Sequence, residues 1–308
     1  MWSVAVPVSR RIRRLLRALL LATGFGVLFY LTTRHQHAAA PQFQGTMLEV
    51  GNGVRVRALA AGAGDTTLVF LHGYGESLLA WSGLLDHFTA HYRVLAIDLP
   101  GFGVSDPLPE SAGYDSYLQA LETLIERETS GPVVVVGHSM GGELAAGLAL
   151  ADPGRVVAAI LIAPAGAGLN GVFGDSGVVS PWTYWVAEAV PYVIPIHDTL
   201  WLGEPSGPHL PEAARDSILR ASARRVLEEF DFAAIGARFS ELRQPVLLIW
   251  GRQDPTIPVA VGDRIASLLP CRRYVVLPAL HRPHQTLPVT VITEMERFLR
   301  HPVACGQR

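Results

Sequence analysis

Six residues constrain this chain more than any others: Gly137-His138-Ser139-Met140-Gly141-Gly142, set between four consecutive valines at 133–136 and a helical run to residue 151. A strand that is apolar at every position, rather than at alternate ones, belongs in the middle of a parallel sheet with both faces covered. Passing from such a strand into a helix within a few residues needs a sharp turn. The flanking glycines suit it because side chains there would collide with strand and helix. The serine at its tip is held strained, with its hydroxyl above the sheet edge. The amide of Met140 then points back toward whatever the hydroxyl attacks. The rival reading is that Ser139 merely caps the helix that follows.

The remaining pattern agrees with an α/β architecture, a mostly parallel central sheet with helices on both faces. Short β-branched runs fall at 54–59, 67–71, 93–97, 132–137, 156–163, 245–250 and 273–277. Helical stretches fall at 78–88, 116–128, 140–151, 259–269 and 288–300. The first two strand runs have no helix between them, so the first is expected antiparallel to the next. Residues 166–240 are too long for a simple crossover and read as a cap inserted into the domain, with helical patterns around 211–230. Trp182, Tyr184, Trp185, Tyr192 and Trp201 lie in it. They fit an apolar acyl pocket, and equally the ordinary packing of a cap onto its sheet.

A second glycine loop, Leu71-His72-Gly73-Tyr74-Gly75-Glu76-Ser77, follows the run at 67–71 and can aim backbone amides at a developing oxyanion. A third landmark is Asp98-Leu99-Pro100-Gly101-Phe102-Gly103-Val104-Ser105. On these stretches, the serine turn, Asp254 and His281, the chain resembles the α/β-hydrolase family over residues 46–300. The resemblance implies an oxyanion hole made by the backbone amides of Tyr74 and Met140. It also implies a structural part for residues 98–105 rather than a catalytic one.

A serine nucleophile needs a base, and the base needs an orienter. Asp254 follows the apolar run at 245–250, and His281 follows the last strand run. The order Ser139, Asp254, His281 is the hydrolase order, and each residue sits at the carboxyl end of a strand, where the three can converge. Two alternatives stay open: Asp254 as a simple turn former before Pro255, and His284 in place of His281. The His281/His284 pair has metal-ligand spacing, but no cysteine or carboxylate cluster beside it completes a ligand set, so no metal is expected. His72 and His138 are read as packed, hydrogen-bonding residues. The expected chemistry is attack by Ser139 on an ester or similar acyl carbonyl, without a cofactor. A C–C bond hydrolase, a perhydrolase, an acyltransferase and a non-catalytic binding protein are the other readings on this fold.

Composition removes other classes. All 25 basic residues are arginine, which excludes a Schiff-base lysine and a lysine-bearing phosphate loop. A formal charge of −2 gives no field for nucleic acid. Five arginines cluster in positions 10–17 ahead of an apolar run, the layout of an export signal or signal anchor. Residues 15–33 would span roughly 28 Å as a helix, near the hydrocarbon thickness. Residues 1–41 are therefore expected to anchor in a membrane with the catalytic domain, 42–308, on the exported side (periplasmic or extracellular). Cleavage after Ala38-Ala39-Ala40 would instead leave that domain secreted. The two cysteines, Cys271 and Cys305, stand before the last strand and after the last helix. An antiparallel return of that helix would bring them to one edge, where an oxidising compartment would let them bridge.

Overall fold

The computed structural model describes residues 45–109, 111–166, 236–303 and 305. The expected N-terminal anchor and almost all of the expected cap lie outside them, and no helix among the described residues is long and apolar enough to cross a membrane. Eight strands are described: β1 (Thr46–Gly51), β2 (Val54–Ala61), β3 (Thr67–Leu71), β4 (Arg93–Ile97), β5 (Val133–His138), β6 (Val156–Ile162), β7 (Val246–Gly251) and β8 (Arg272–Leu277). They form one sheet in the order β1-β2-β4-β3-β5-β6-β7-β8. From β4 to β8 every pairing is parallel, while β1–β2 and β2–β4 are antiparallel.

One detail differs from the sequence reading: β1 lies outside the expected strand runs. β2 runs antiparallel to β3, as expected, and its direct partner in the sheet is β4. β1 is an edge strand with only Val50 buried, so it lacks the apolar run that marks the inner strands. A Gly51-Asn52-Gly53 turn, with all three φ angles positive, folds it back onto β2.

Alternation along the strands divides the core into two layers. Val69, Leu71, Val133, Val135, Leu248 and Trp250 face one side, with helices α2 (Tyr114–Glu128), α3 (Met140–Ala151) and α4 (Val259–Leu268). Leu68, Phe70, Val134, Val136, Leu247 and Ile249 face the other, beneath α1 (Ser82–Thr89) and α6 (Pro288–Arg300). Two short turns sit at the rim, a 3-10 turn at Leu78–Trp81 and α5 (Pro283–Thr286). All four valines of β5 are at most 4% exposed, which is why that run could carry no polar position. The parallel register brings the ends of β3, β4, β5, β7 and β8 to one edge, so the loops that leave them face a common space. Cys271 and Cys305 are disulfide-bonded with Cα atoms 4.9 Å apart, which ties the start of β8 to the chain beyond α6.

Candidate active site

Ser139 stands at the β5–α3 junction with φ 51° and ψ −117°, outside the regions a non-glycine residue ordinarily takes. Its surroundings over-determine that conformation. The Ser139 N–H donates to Ile162 O at 3.0 Å, and its carbonyl accepts from Gly142, Glu143 and Ala165. Strain held this way is a known mark of functional positions. A Cβ on Gly137 would stand 2.1 Å from Gly141 O, and one on Gly141 would stand 2.2 Å from Leu71 O. The turn therefore closes only without side chains at either place. The Ser139 side chain makes no helix-cap hydrogen bond, so the capping alternative does not describe it.

Asp254 and His281 meet. His281 Nδ1 donates to Asp254 Oδ2 at 2.7 Å, while Asp254 Oδ1 accepts from the amides of Thr256 and Ile257 at 2.8 and 2.9 Å. Binding Nδ1–H to a carboxylate fixes the tautomer and leaves the Nε2 lone pair free. Burial pushes the His281 pKa below its ordinary value. The Asp254 hydrogen bond raises it in part, and the His138 charge lowers it again. The other candidate, His284, is fully buried between the rings of Trp81 and His138, at centroid distances of 4.5 Å to each. Burial pushes its pKa well below the usual imidazole range, and the charge on His138 adds to this. It has no carboxylate hydrogen bond of its own among the described contacts. Ser139 and His281 are joined indirectly: the ring of His138, next to Ser139, lies 4.8 Å from the His281 ring and its Nε2 meets His281 O at 3.0 Å. No direct bond from Ser139 Oγ to His281 is formed among the described residues, a contact that commonly tightens only with substrate present.

Tyr74 lies in the loop after β3, and Met140 is the first residue of α3. Neither amide takes part in the loop hydrogen bonds of the described residues. The Met140 amide also carries the positive end of the α3 dipole. The Asp98–Ser105 stretch is occupied with structure. Asp98 is fully buried and accepts from Arg57 Nε, Leu78 N and Val104 N, each within 2.9 Å. His72 is likewise a packed residue, bonding Gly73 O and the Leu99 amide through its two nitrogens.

Sequence reasoning missed Glu76. Its carboxylate, His138 and His284 offer ligand-type atoms within 4.8 Å of one another, so a carboxylate does stand beside the second histidine. This set does not fit a metal ion. Arg282 Nε is 2.6 Å from Glu76 Oε1, and His138 already spends both ring nitrogens on acceptors.

A strained serine on a strand-to-helix turn, with an Asp–His pair beside it on a mostly parallel eight-stranded sheet, defines a class of hydrolases by its architecture. The model of the alpha/beta hydrolase family matches residues 68–294, and the chain belongs to that family. It is 34% identical over 244 residues to the dihydrolipoyllysine-residue acetyltransferase component of an acetoin cleaving system from Cupriavidus necator, covering 73% of this chain and 60% of that protein. The chain thus spans less than two thirds of that relative. It is 32% identical over 267 residues to a 2-hydroxy-6-oxononadienedioate/2-hydroxy-6-oxononatrienedioate hydrolase from Paraburkholderia phymatum, covering 78% of this chain and 88% of that one. Among solved structures, a meta-cleavage product hydrolase superposes with a TM-score of 0.64 at 20% identity, covering 83% of this chain and 98% of the other.

Proposed function

We propose that this protein is a serine hydrolase that cleaves an ester or related acyl bond of an apolar substrate. Ser139 is the nucleophile, His281 the base and Asp254 its orienter, and the Tyr74 and Met140 amides form the oxyanion hole. The observation that carries this reading is the 2.7 Å bond from His281 Nδ1 to Asp254, made beside a serine held at φ 51°. His281 Nε2 takes the proton of Ser139 Oγ as that oxygen bonds the acyl carbon, and the negative oxygen turns to the two amides. Collapse breaks the bond to the leaving group, which receives the proton from His281. Water, deprotonated by His281, then adds to the acyl-serine; the acid departs and Ser139 recovers its proton. A fluorophosphonate probe should label wild-type protein and spare Ser139→Ala. Labelling that persists in the variant would refute the assignment.

A second reading has its own support: the Paraburkholderia phymatum relative is named as a hydrolase of 2-hydroxy-6-oxononadienedioate and 2-hydroxy-6-oxononatrienedioate, and an oxo-acid of that kind can be split at a C–C bond beside its ketone. The same residues could serve that reaction, with a carbanion leaving in place of an alkoxide. Rates on p-nitrophenyl esters of graded chain length, set against rates on a 2-hydroxy-6-oxo-dienoate, decide between the two.

We also propose that residues 15–33 anchor the protein and that the hydrolase works on the exported side. The arginine cluster before the apolar run supports this, and so does a disulfide between the only two cysteines, a bond at home in oxidising compartments. Alkaline phosphatase fused after residue 308 should be active in intact cells. Activity confined to a cytoplasmic reporter at that position would overturn the orientation.

A further inference from the structure

Glu76 is buried at the point where three loops meet, and its contacts reach all three. Oε2 accepts from the Gly73 amide at 2.9 Å and from His138 Nδ1 at 3.1 Å. Oε1 accepts from Arg282 Nε at 2.6 Å and Gln285 Nε2 at 3.3 Å. Gly73 precedes Tyr74, His138 precedes Ser139, and Arg282 follows His281. One carboxylate therefore holds the immediate chain neighbour of the proposed oxyanion donor, of the nucleophile and of the base. The close approach shows in the glycine: a Cβ on Gly73 would lie 2.7 Å from His138 Nδ1 and 2.9 Å from Glu76 Oε2.

His138 continues the chain of contacts. Its Nδ1 faces the Glu76 carboxylate and its Nε2 faces the His281 carbonyl. Both partners only accept, so a proton on each ring nitrogen would satisfy both contacts. Burial alone would push the Glu76 pKa up. The His138 charge and hydrogen bond, with Arg282 and His284, outweigh it and hold the carboxyl well below the usual range.

We propose that Glu76 and His138 form a positioning hub, an ionised carboxylate and a buried imidazolium that lock the β3 loop, the Ser139 turn and the His281 loop into one register. This goes beyond the serine-hydrolase reading but rests on it for its catalytic consequence. The hub also sets a charge beside the base. Among the described residues the His281 ring faces Asp254 from the β7 loop, His138 from the end of β5 and Glu76 from the β3 loop; His284 and Arg282 flank it on its own loop.

Four measurements test this. Glu76→Gln keeps the shape but turns an amide group toward donors, and the loosened register should slow fluorophosphonate labelling of Ser139 on the order of 100-fold. Arg282→Gln, at a half-exposed position, should cause a smaller loss in the same direction, with the fold of each variant checked by circular dichroism. His138→Gln removes the cation next to His281 and should move the acid limb of the labelling rate to higher pH, a shift that a purely structural role would not produce. Nitrogen-edited NMR of Ser139→Ala should show protons on both ring nitrogens of His138. Wild-type labelling rates in both Glu76→Gln and Arg282→Gln, an unmoved acid limb in His138→Gln, or a single ring proton on His138 would overturn the hub. Wild-type protein that stays unlabelled would overturn the Ser139 reading instead, and the ring protons of His138 then decide the hub by themselves.

Discussion

Two buried carboxylates at the same edge of the sheet, Asp98 after β4 and Asp254 after β7, are held in nearly the same way. Each accepts two backbone amides and one side-chain N–H: Leu78, Val104 and Arg57 for Asp98, and Thr256, Ile257 and His281 for Asp254. The cradles match, and the third partner differs. Arg57 is charged at every accessible pH and offers only donors, so its pair with Asp98 can do nothing but hold the β2–β4 side together. His281 gives one nitrogen to Asp254 and keeps a basic lone pair on the other. One loop design thus makes scaffold or proposed catalyst according to whether the partner can exchange a proton.

The largest expected effect breaks the catalytic half of that comparison. Asp254→Asn would present an amide N–H to His281 Nδ1, force the proton onto Nε2 and leave no lone pair for Ser139. A loss of about 10⁴-fold in kcat is expected, as wrong-tautomer substitutions in such triads produce. Steady-state kinetics on whichever acyl substrate is turned over would measure it; a loss under tenfold would show that Asp254 does not orient the base. The matching change, Asp98→Asn, should invert the outcome. It strands the Arg57 charge in a nearly closed site, and breaking one side of a buried pair costs roughly 3–5 kcal/mol. Denaturant unfolding should register that loss, while kcat of the folded protein stays within a few-fold of wild type.

The disulfide sharpens the contrast further. Cys271 and Cys305 are 34 positions apart and enclose β8, His281 and α6, but nothing of the Asp98 side. By the chain-entropy model such a crosslink contributes about 3–4 kcal/mol. Reduction, or Cys271→Ser with Cys305→Ser, should lower the free energy of unfolding by that amount. It should also raise amide exchange around His281 before it does so around Asp98. Equal exchange in the two regions would show that the bridge does not act locally.

Legibility in the sequence followed burial and chain distance. The β5 valines, the glycines of the serine turn and the β7 run could be read because full burial leaves few residue types to choose from. β1 could not, since an edge strand with one buried residue carries almost no pattern. The strand order, with β4 between β2 and β3, depends on pairings that no local signal encodes. Asp254 and His281 could be placed because each directly follows a readable strand and the family motif orders them. The alternative histidine, His284, was separable only by its surroundings, where it stacks on Trp81 some two hundred positions away in the chain. Glu76 left no sign for a related reason. Its bond to His138 spans 62 positions and the His138 bond to His281 spans 143, so its role exists only once the loops have come together.

The smallest expected effect separates the two carboxylates by pH alone. Burial holds the His281 pKa below the ordinary imidazole value of 6.5; Asp254 pulls it up in part, and the charge of His138 pulls it down. A protonated His281 cannot take the Ser139 proton, so kcat/KM should rise with pH through a midpoint below 6.5. Asp254→Asn removes the group that raises this pKa and should carry the midpoint of its residual activity lower still. Asp98→Asn has no such hold on His281, because its carboxylate is taken up by Arg57 and two amides, and it should leave the midpoint where wild type has it. A profile measured for all three proteins at constant ionic strength tests each sign. A wild-type midpoint at or above 6.5 would mean that His281 is wetter than the described residues make it. A shift in Asp98→Asn would mean that the two cradles are coupled across the sheet edge.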